Sequence, residues 1–307
     1  MTKIAPIVLF CYNRLELLKK TISSLKKNKE SKNSKLIIFS DGPKTQSDKK
    51  KIIKIRQYLS KIKGFKKVEV FYQKKNMGLA NSIITSLNNI FKKYSSAIIL
   101  EDDLVVSKNF LKYMNDGLNL FKKNKKIISI HGYSYPIHKN KDDPEYFFLK
   151  GADCWGWATW SKSWKIFEKN GLKLKNNILK KKLSIEFNFN NSFNYMKMLD
   201  DQIKGKNDSW AIRWYASAFL ENKLTLYPKN SFVRNIGVDG SGTHGYELYN
   251  RFNTKKLNNK NYKNIKNENL KIKENLLMKK KFENYFLIYK SKLRVRNILN
   301  KLHVFFK

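Results

Sequence analysis

Over the first 135 residues, short unbroken apolar runs alternate with segments of helical period, and no other feature of the sequence restricts the fold as much. Ile4 to Cys11 has the length and continuous apolarity of a strand buried on both faces, and Leu15, Leu18, Ile22 and Leu25 then recur at helical spacing. Lys35 to Ser40 repeats the strand signal and stops at the turn triplet Asp41-Gly42-Pro43, before a helix predicted from about Ser47 to Lys61. Val68 to Tyr72, Ala97 to Leu100 and Ile127 to Ile130 complete five predicted strands. The helices between them carry Leu79, Ile83, Leu87 and Ile90, then Phe110, Met114, Leu118 and Phe121. Apolar strands alternating with helices predict an α/β fold with a mainly parallel, Rossmann-like sheet and helices on both faces. Ligands of such sheets bind beyond the carboxyl ends of the strands. Asn13-Arg14, Asp41-Gly42, Asn76-Met77-Gly78 and Glu101-Asp102-Asp103 all fall at such ends.

Beyond Tyr135 the pattern turns aromatic and irregular around Gly151-Ala152-Asp153-Cys154-Trp155-Gly156-Trp157-Ala158-Thr159-Trp160. Helices are predicted over 193–204 and 209–221, with a strand near Leu224 to Tyr227. The glycine-rich loop from Gly237 to Gly245 has the composition of a lid. The expected organisation is a domain over 1–250, with halves 1–135 and 136–250, followed by a basic helical appendage over 251–307. That appendage holds 17 Lys and Arg against three Glu, a net +14. Val295, Ile298, Leu299, Leu302, Phe305 and Phe306 share one helical face in it, with Arg294, Arg296 and Lys301 elsewhere on the helix. Such a helix suits an anionic membrane surface, and it suits equally a face docked on its own domain or on a partner subunit.

The formal charge of +40 favours a polyanionic partner. Only seven of the 64 basic residues are arginine, however, and no zinc-finger spacing or RNA-binding signature accompanies them, so nucleic acid is not the expected partner. Cys11 and Cys154 make no disulfide framework and no metal-type spacing, and are expected as reduced thiols. Ala5 to Tyr12 runs directly into Asn13-Arg14 rather than a cleavage site, and no stretch approaches the ~18 apolar residues of a membrane span. The expected location is the cytoplasm, free or on the inner face of the membrane.

Glu101-Asp102-Asp103 ends an apolar strand in a chain otherwise poor in acid. Three adjacent carboxylates repel one another and call for a cation. Magnesium or manganese sites commonly take only one or two protein carboxylates, because phosphates and waters supply the rest. A divalent cation would neutralise a nucleoside diphosphate as it leaves a sugar. The plain alternative is an acidic start to the following helix.

Taken together, Pro6-Ile7-Val8-Leu9-Phe10-Cys11-Tyr12-Asn13-Arg14, Ser40-Asp41-Gly42, Asn76-Met77-Gly78-Leu79-Ala80 and Ile99-Leu100-Glu101-Asp102-Asp103-Leu104-Val105-Val106 resemble the GT-A glycosyltransferases. Within these, the chain is similar to bacterial family-2-type sugar transferases and the related N-acetylglucosaminyltransferase I group, over about residues 4 to 248. The resemblance implies an inverting transfer from a nucleotide sugar, a UDP-sugar by expectation, to a glycan or lipid-linked acceptor in cell-surface polysaccharide or glycolipid synthesis. It implies that Arg14, Asp41 and Asn76 lie on the nucleotide, with Asp41 at the uracil edge. Asp102 would meet the ribose, Asp103 would hold Mn2+ or Mg2+, and Glu101 would orient the pocket.

Asn207-Asp208-Ser209-Trp210 is similar to the acid-plus-tryptophan motif carrying the catalytic base in that group, although Ser209 replaces a second acid. Asp208 is the candidate base, and a helix N-cap is its plain alternative. Asp153, Trp155, Trp210 and His244 are candidate acceptor or sugar contacts, and Arg234 a candidate phosphate counter-charge. The Trp155 to Trp160 cluster reads equally as core, and Asp200-Asp201 as a solvated helix face. The competing classes are a basic nucleic-acid-binding protein, which leaves the triplet without a role, and a sugar nucleotidyltransferase, which wants a glycine-rich phosphate loop where Cys11-Tyr12-Asn13-Arg14 stands.

Overall fold

The computed structural model describes residues 4–237, 257–259, 262–266 and 270–305, with side chains described as far as residue 291. Its strands are β1 (Ile7–Cys11), β2 (Lys35–Ser40), β3 (Lys67–Tyr72), β4 (Ser96–Glu101), β5 (Leu104–Val106), β6 (Ile127–His131), β7 (Tyr146–Lys150), β8 (Trp157–Trp160), β9 (Leu224–Pro228) and β10 (Val233–Asn235). The helices are α1 (Leu15–Lys26), α2 (Gln46–Leu59), α3 (Leu79–Lys93), α4 (Phe110–Phe121), α5 (Ser161–Trp164), α6 (Gly171–Lys180), α7 (Ser184–Phe187), α8 (Tyr195–Ile203), α9 (Trp210–Leu220) and α10 (Leu276–Phe305).

Eight strands form one sheet in the order β3-β2-β1-β4-β8-β6-β9-β7, and β5 pairs with β10 in a separate two-stranded ribbon. The four strands β3, β2, β1 and β4 are parallel throughout. Strand β8 enters antiparallel between β4 and β6, β9 runs parallel to β6, and β7 closes the sheet antiparallel to β9.

Alternation within the strands separates the two faces. Ile7, Leu9, Leu36, Ile38, Ile98 and Leu100 pack with Leu18, Ile22 and Leu25 of α1, Ile55 of α2 and Met114 of α4. Val8, Phe10, Ile37, Phe39, Ala97 and Ile99 point the other way, against Ile83 and Leu87 of α3 and Trp210 and Trp214 of α9. A third apolar cluster joins Phe147, Phe187, Leu199, Tyr215 and Phe219. Helix α9 is therefore buried from two sides.

The all-parallel half matches its predicted strands within a few residues. The aromatic stretch after residue 135, read as irregular, instead supplies two strands. Trp157 to Trp160 of β8 are all buried, so their continuous apolarity is that of a central strand rather than of a loop. Three residues beyond the predicted triplet start, the chain does not enter a helix: Glu101 is the last residue of β4, Asp102-Asp103 turn the chain into β5, and α4 begins only at Phe110. The acids are therefore a strand-end turn, and the helix-start alternative falls.

Beyond residue 250, one face of α10 packs onto the rest of the chain while Leu276, Leu277, Leu287 and Ile288 stay exposed. Met278, Phe282 and Phe286 of α10 are buried in the third cluster, with Phe282 against Tyr135 and Phe147 and Phe286 against Phe193. Burial of aromatic side chains of this size stabilises by roughly 2 kcal/mol each. Lys281 Nζ donates to both Asp143 oxygens at 2.6 Å. The face predicted from Val295 to Phe306 lies outside the described side chains. Among the described residues, no helix is long and apolar enough to cross a membrane.

Candidate active site

The carboxyl ends of β1, β2 and β4 and the loop before α3 converge through hydrogen bonds that originate in their own turns. At the end of β2, the Asp41 amide donates to the Cys11 carbonyl at 3.0 Å. Asp41 Oδ1 accepts from the amides of Gly42 at 2.8 Å and Met77 at 2.9 Å. Asn76 Nδ2 donates to the Gly42 carbonyl at 2.9 Å, and its Oδ1 accepts from the Gly78 amide at 3.2 Å. Asn76 thus ties the two loops together through backbone groups.

Arg14 caps α1 at its N-terminus and turns its guanidinium onto the acids that end β4. Its Nη2 lies 2.5 Å from Asp102 Oδ1 and 2.9 Å from Asp103 Oδ2. The Tyr12 amide donates to Asp102 Oδ2 at 3.2 Å, and Thr21 Oγ1 donates to the Asp102 carbonyl at 2.9 Å. Asp102 and Asp103 are only 3% and 8% exposed, so this pairing is needed to keep two carboxylates out of water. Burial raises the Asp102 carboxyl to about 6 against the pull of Arg14, with Asp103 adding to the rise. Burial, then Asp103 and Asp102, push Glu101 up to about 8. Burial disfavours the Arg14 cation, but the two aspartates outweigh it and raise its pKa.

The β5–β10 ribbon covers this cluster. The Ile236 amide donates to the Asp103 carbonyl at 2.8 Å. At Gly237 an added Cβ would lie 2.1 Å from Asp103 Oδ2 and 2.8 Å from Arg14 Nη1, so only glycine permits this approach. Gly237 is the one member of the predicted lid loop among the described residues, and His244 lies outside them. Arg234 sits in β10 opposite Val105.

Asp208 approaches from the second half of the chain. Gly78, at φ +71°, would place a Cβ 3.9 Å from Asp208 Oδ2, which sets Asp208 beside the loop that carries Asn76. The N-cap of α9 is Ser209, whose hydroxyl accepts from the Ile212 amide at 3.2 Å. The capping role weighed for Asp208 therefore belongs to its neighbour. The Asp208 side chain is 61% exposed, and its Oδ1 lies 3.3 Å from Nη2 of the buried Arg213. Burial lowers the Arg213 pKa while Asp208 opposes it. Arg213 is a residue that motif reading missed, although a lone charge in the apolar helix Trp-Ala-Ile-Arg-Trp-Tyr-Ala was its signal.

Asp153 Oδ2 accepts from the Tyr135 hydroxyl at 3.1 Å and Oδ1 from the Cys154 amide at 2.8 Å. The fully buried His131 places Nδ1 3.8 Å from Asp153 Oδ2, beyond hydrogen-bond range, and neither ring nitrogen has a hydrogen-bond partner among the described residues. Burial lowers the His131 pKa, with Asp153 opposing. Burial raises the Cys154 thiol well above its usual range, and Asp153, Glu101 and Asp103 add to the rise. Trp155 is partly buried with its ring edge-on to Tyr133 at 4.9 Å. Trp210, expected as a sugar contact, is corrected to a core residue: it is 3% exposed and stacked on Trp157 at 5.5 Å. Asp200 pairs with Lys175 of α6 and Asp201 with Lys197 of its own helix, and both aspartates are half-buried rather than on a fully solvated face.

Among the described residues, no three His, Cys, Asp or Glu side chains form a ready metal-ligand group. The donor set fits a hard cation that takes its remaining oxygens from a diphosphate and water, and the site already sets one positive charge, Arg14, against Asp103.

A mainly parallel sheet whose strand ends gather an amide-bound aspartate, a turn of paired acids and their arginine has the GT-A architecture. The sequence model of the GNT-I family matches residues 1–168, more than half the chain, and the chain belongs to that family. No curated protein sequence matches the chain significantly. Solved structures similar to it include the mannosyltransferase PcManGT from Pyrobaculum calidifontis in complex with GDP-Man and Mn2+, at 11% identity over 43% of this chain and 36% of that one, with a TM-score of 0.31. S. aureus TarS is similar at 12% identity over 52% of this chain and 29% of its own, with a TM-score of 0.35. The chain thus spans about a third of each of these proteins.

Proposed function

We propose that the chain is an inverting, metal-dependent glycosyltransferase that moves a sugar from a UDP-sugar to a hydroxyl of a glycan or lipid-linked acceptor, in synthesis of a cell-surface polysaccharide or glycolipid. The observation that carries the proposal is the Arg14–Asp102–Asp103 cluster ending β4 beside Asp41. Asp41, with Oδ1 fixed by two amides, presents its carboxylate to the uracil edge. Asp102 meets the ribose and Glu101 orients the pocket. Asp103 holds Mn2+ or Mg2+, which when bound supplies Lewis-acid neutralisation of the leaving diphosphate. Arg14 adds a second positive charge there.

Asp208 takes the proton of the acceptor hydroxyl as its oxygen bonds to the anomeric carbon, while the bond from that carbon to the diphosphate oxygen breaks on the opposite face. Its exposure leaves it accessible to an incoming acceptor, and Arg213 holds its Oδ1 at 3.3 Å. Asp153 and Trp155 contact the acceptor or donor sugar. The exposed Leu287 and Ile288 of α10, within the basic tail, contact an anionic membrane on the cytoplasmic side.

The test is nucleoside diphosphate release from a panel of nucleotide sugars with Mn2+, with and without EDTA. Release that is selective for UDP donors and abolished by EDTA is expected. No release from any donor would overturn the assignment.

A further inference from the structure

Arg14 stands where a cation is expected, and the geometry leaves little room for both. A single nitrogen, Nη2, lies within 2.5 Å of Asp102 and 2.9 Å of Asp103. The far side of Asp103 Oδ2 is closed by Gly237, where a Cβ would lie only 2.1 Å away. The second oxygen of Asp102 is taken by the Tyr12 amide. A divalent ion binds carboxylate oxygen at about 2.1 Å, which would set a double charge against the guanidinium already in contact with the same oxygen. Two cations that close repel strongly in a buried site.

The backbone of Arg14 is fixed by the Leu18 amide, which donates to its carbonyl at 3.1 Å. Its side chain is 21% exposed, and among the described residues its guanidinium bonds are those to the two aspartates. The side chain therefore has a route outward once another anion competes for it. A diphosphate is such an anion, since the guanidinium fork matches phosphate oxygens in pairs.

We propose that Arg14 is the resident counter-ion of the Asp102–Asp103 pair in the donor-free protein, and that it makes cation binding conditional on the nucleotide diphosphate. This rests on the reading of Asp103 as the metal ligand. Without nucleotide, Arg14 neutralises the acids and holds Asp103 away from solution cations. When the diphosphate arrives, Arg14 transfers to it and Asp103 is released to the ion. By linkage, the nucleotide raises cation affinity by the same factor as the cation raises nucleotide affinity, and Arg14 carries part of that coupling.

The test is Mn2+ binding at about pH 8, followed by the electron paramagnetic resonance signal of the free ion, with and without UDP. Wild type, Arg14→Gln, Arg14→Lys and Asp103→Asn would be compared after a circular dichroism check of folding. Wild type should bind Mn2+ weakly alone and about tenfold or more tightly with UDP. Arg14→Gln should bind it about tenfold more tightly than wild type without any nucleotide, and its gain on adding UDP should shrink accordingly. Arg14→Lys, which keeps the charge on a shorter side chain, should fall between them. The nucleotide-free comparison is independent of which base the site prefers. Equal nucleotide-free affinity in wild type, Arg14→Gln and Arg14→Lys would overturn the proposal. Equal Mn2+ binding by Asp103→Asn and wild type in the presence of UDP would instead overturn the metal reading, and this proposal with it.

Discussion

The end of β4 and the start of α9 hold their carboxylates under opposite conditions. Asp102 and Asp103 are buried and clamped by one arginine at 2.5 and 2.9 Å. Asp208 is 61% exposed and touches Arg213 at 3.3 Å. Buried charges interact through a weak dielectric, so the β4 end suits fixed electrostatic work on a donor. An exposed carboxylate keeps nearly ordinary hydration and stays open to an acceptor that must enter and leave. Under the proposed function, the difference would assign two tasks, donor activation and proton removal, to the two carboxylate sites.

The contrast breaks first at Asp103. Asp103→Asn should lower kcat/KM for transfer by about 10⁴-fold, because the neutralisation of the leaving diphosphate is worth several kcal/mol; a loss within tenfold in steady-state assays would erase the distinction. Asp208→Asn should lower kcat by about 10³-fold, within the range for general bases, while calorimetric affinity for the nucleotide sugar stays within twofold. Loss of donor binding in that variant would move Asp208 to the donor side.

Gly237→Ala tests how tightly the buried end is packed. Its new methyl meets Asp103, so a cost of about 1–3 kcal/mol in urea unfolding is expected, the range of overpacking. Arg213→Met sharpens the other side: with Asp208 mostly solvated, salt screens the pair, and kcat should fall only about fivefold, consistent with about 1 kcal/mol for a partly exposed contact.

The smallest effect concerns Asp153, which at 20% side-chain exposure is intermediate between the two. Its neighbour His131 has a folded pKa below the usual 6.5 because it is buried. The unfolded chain therefore takes up the proton first as pH falls. The stability that His131 contributes as a neutral ring is present above pH 6.5 and is lost as pH drops from there through its folded value. The raised Glu101 and Asp102 carboxyls act in the opposite sense in both proteins, so the expected readout is the difference: the urea midpoint of wild type should lose ground relative to His131→Asn as pH drops through that window.

The basic tail follows the same division between buried and exposed. Phe282 and Phe286 are in the core, so removal of everything after residue 250 would strip apolar contacts as well as charge. Replacing the exposed Leu287 and Ile288 together by Glu is the variant that separates membrane contact from folding: sedimentation with anionic vesicles should drop while the urea midpoint stays unchanged.

Much of the β4 end was legible because its information is local. A continuous apolar run stops at Glu101, a second stops at Asp41, and each stop is a strand end by simple periodicity. The other half was less legible for a definite reason. Trp157 to Trp160 carry no period that distinguishes a central strand from a packed aromatic loop, and only pairing with β4 and β6 on both sides settles it. Trp210 looked available to a sugar, but its ring is claimed by Trp157, a residue 53 positions away that adjacency in sequence does not reveal.

The sequence by itself determined the alternating α/β plan, the four parallel strands and the placing of Arg14, Asp41 and the acidic turn at their carboxyl ends, since each follows from the order of residues within a dozen positions. Only the tertiary structure decided that one arginine nitrogen bridges Asp102 and Asp103, that Gly237 closes on them across more than 130 residues, and that Ser209 rather than Asp208 caps α9. Those outcomes depend on distances between segments and on which groups are left without water, and neither quantity exists until the chain has packed.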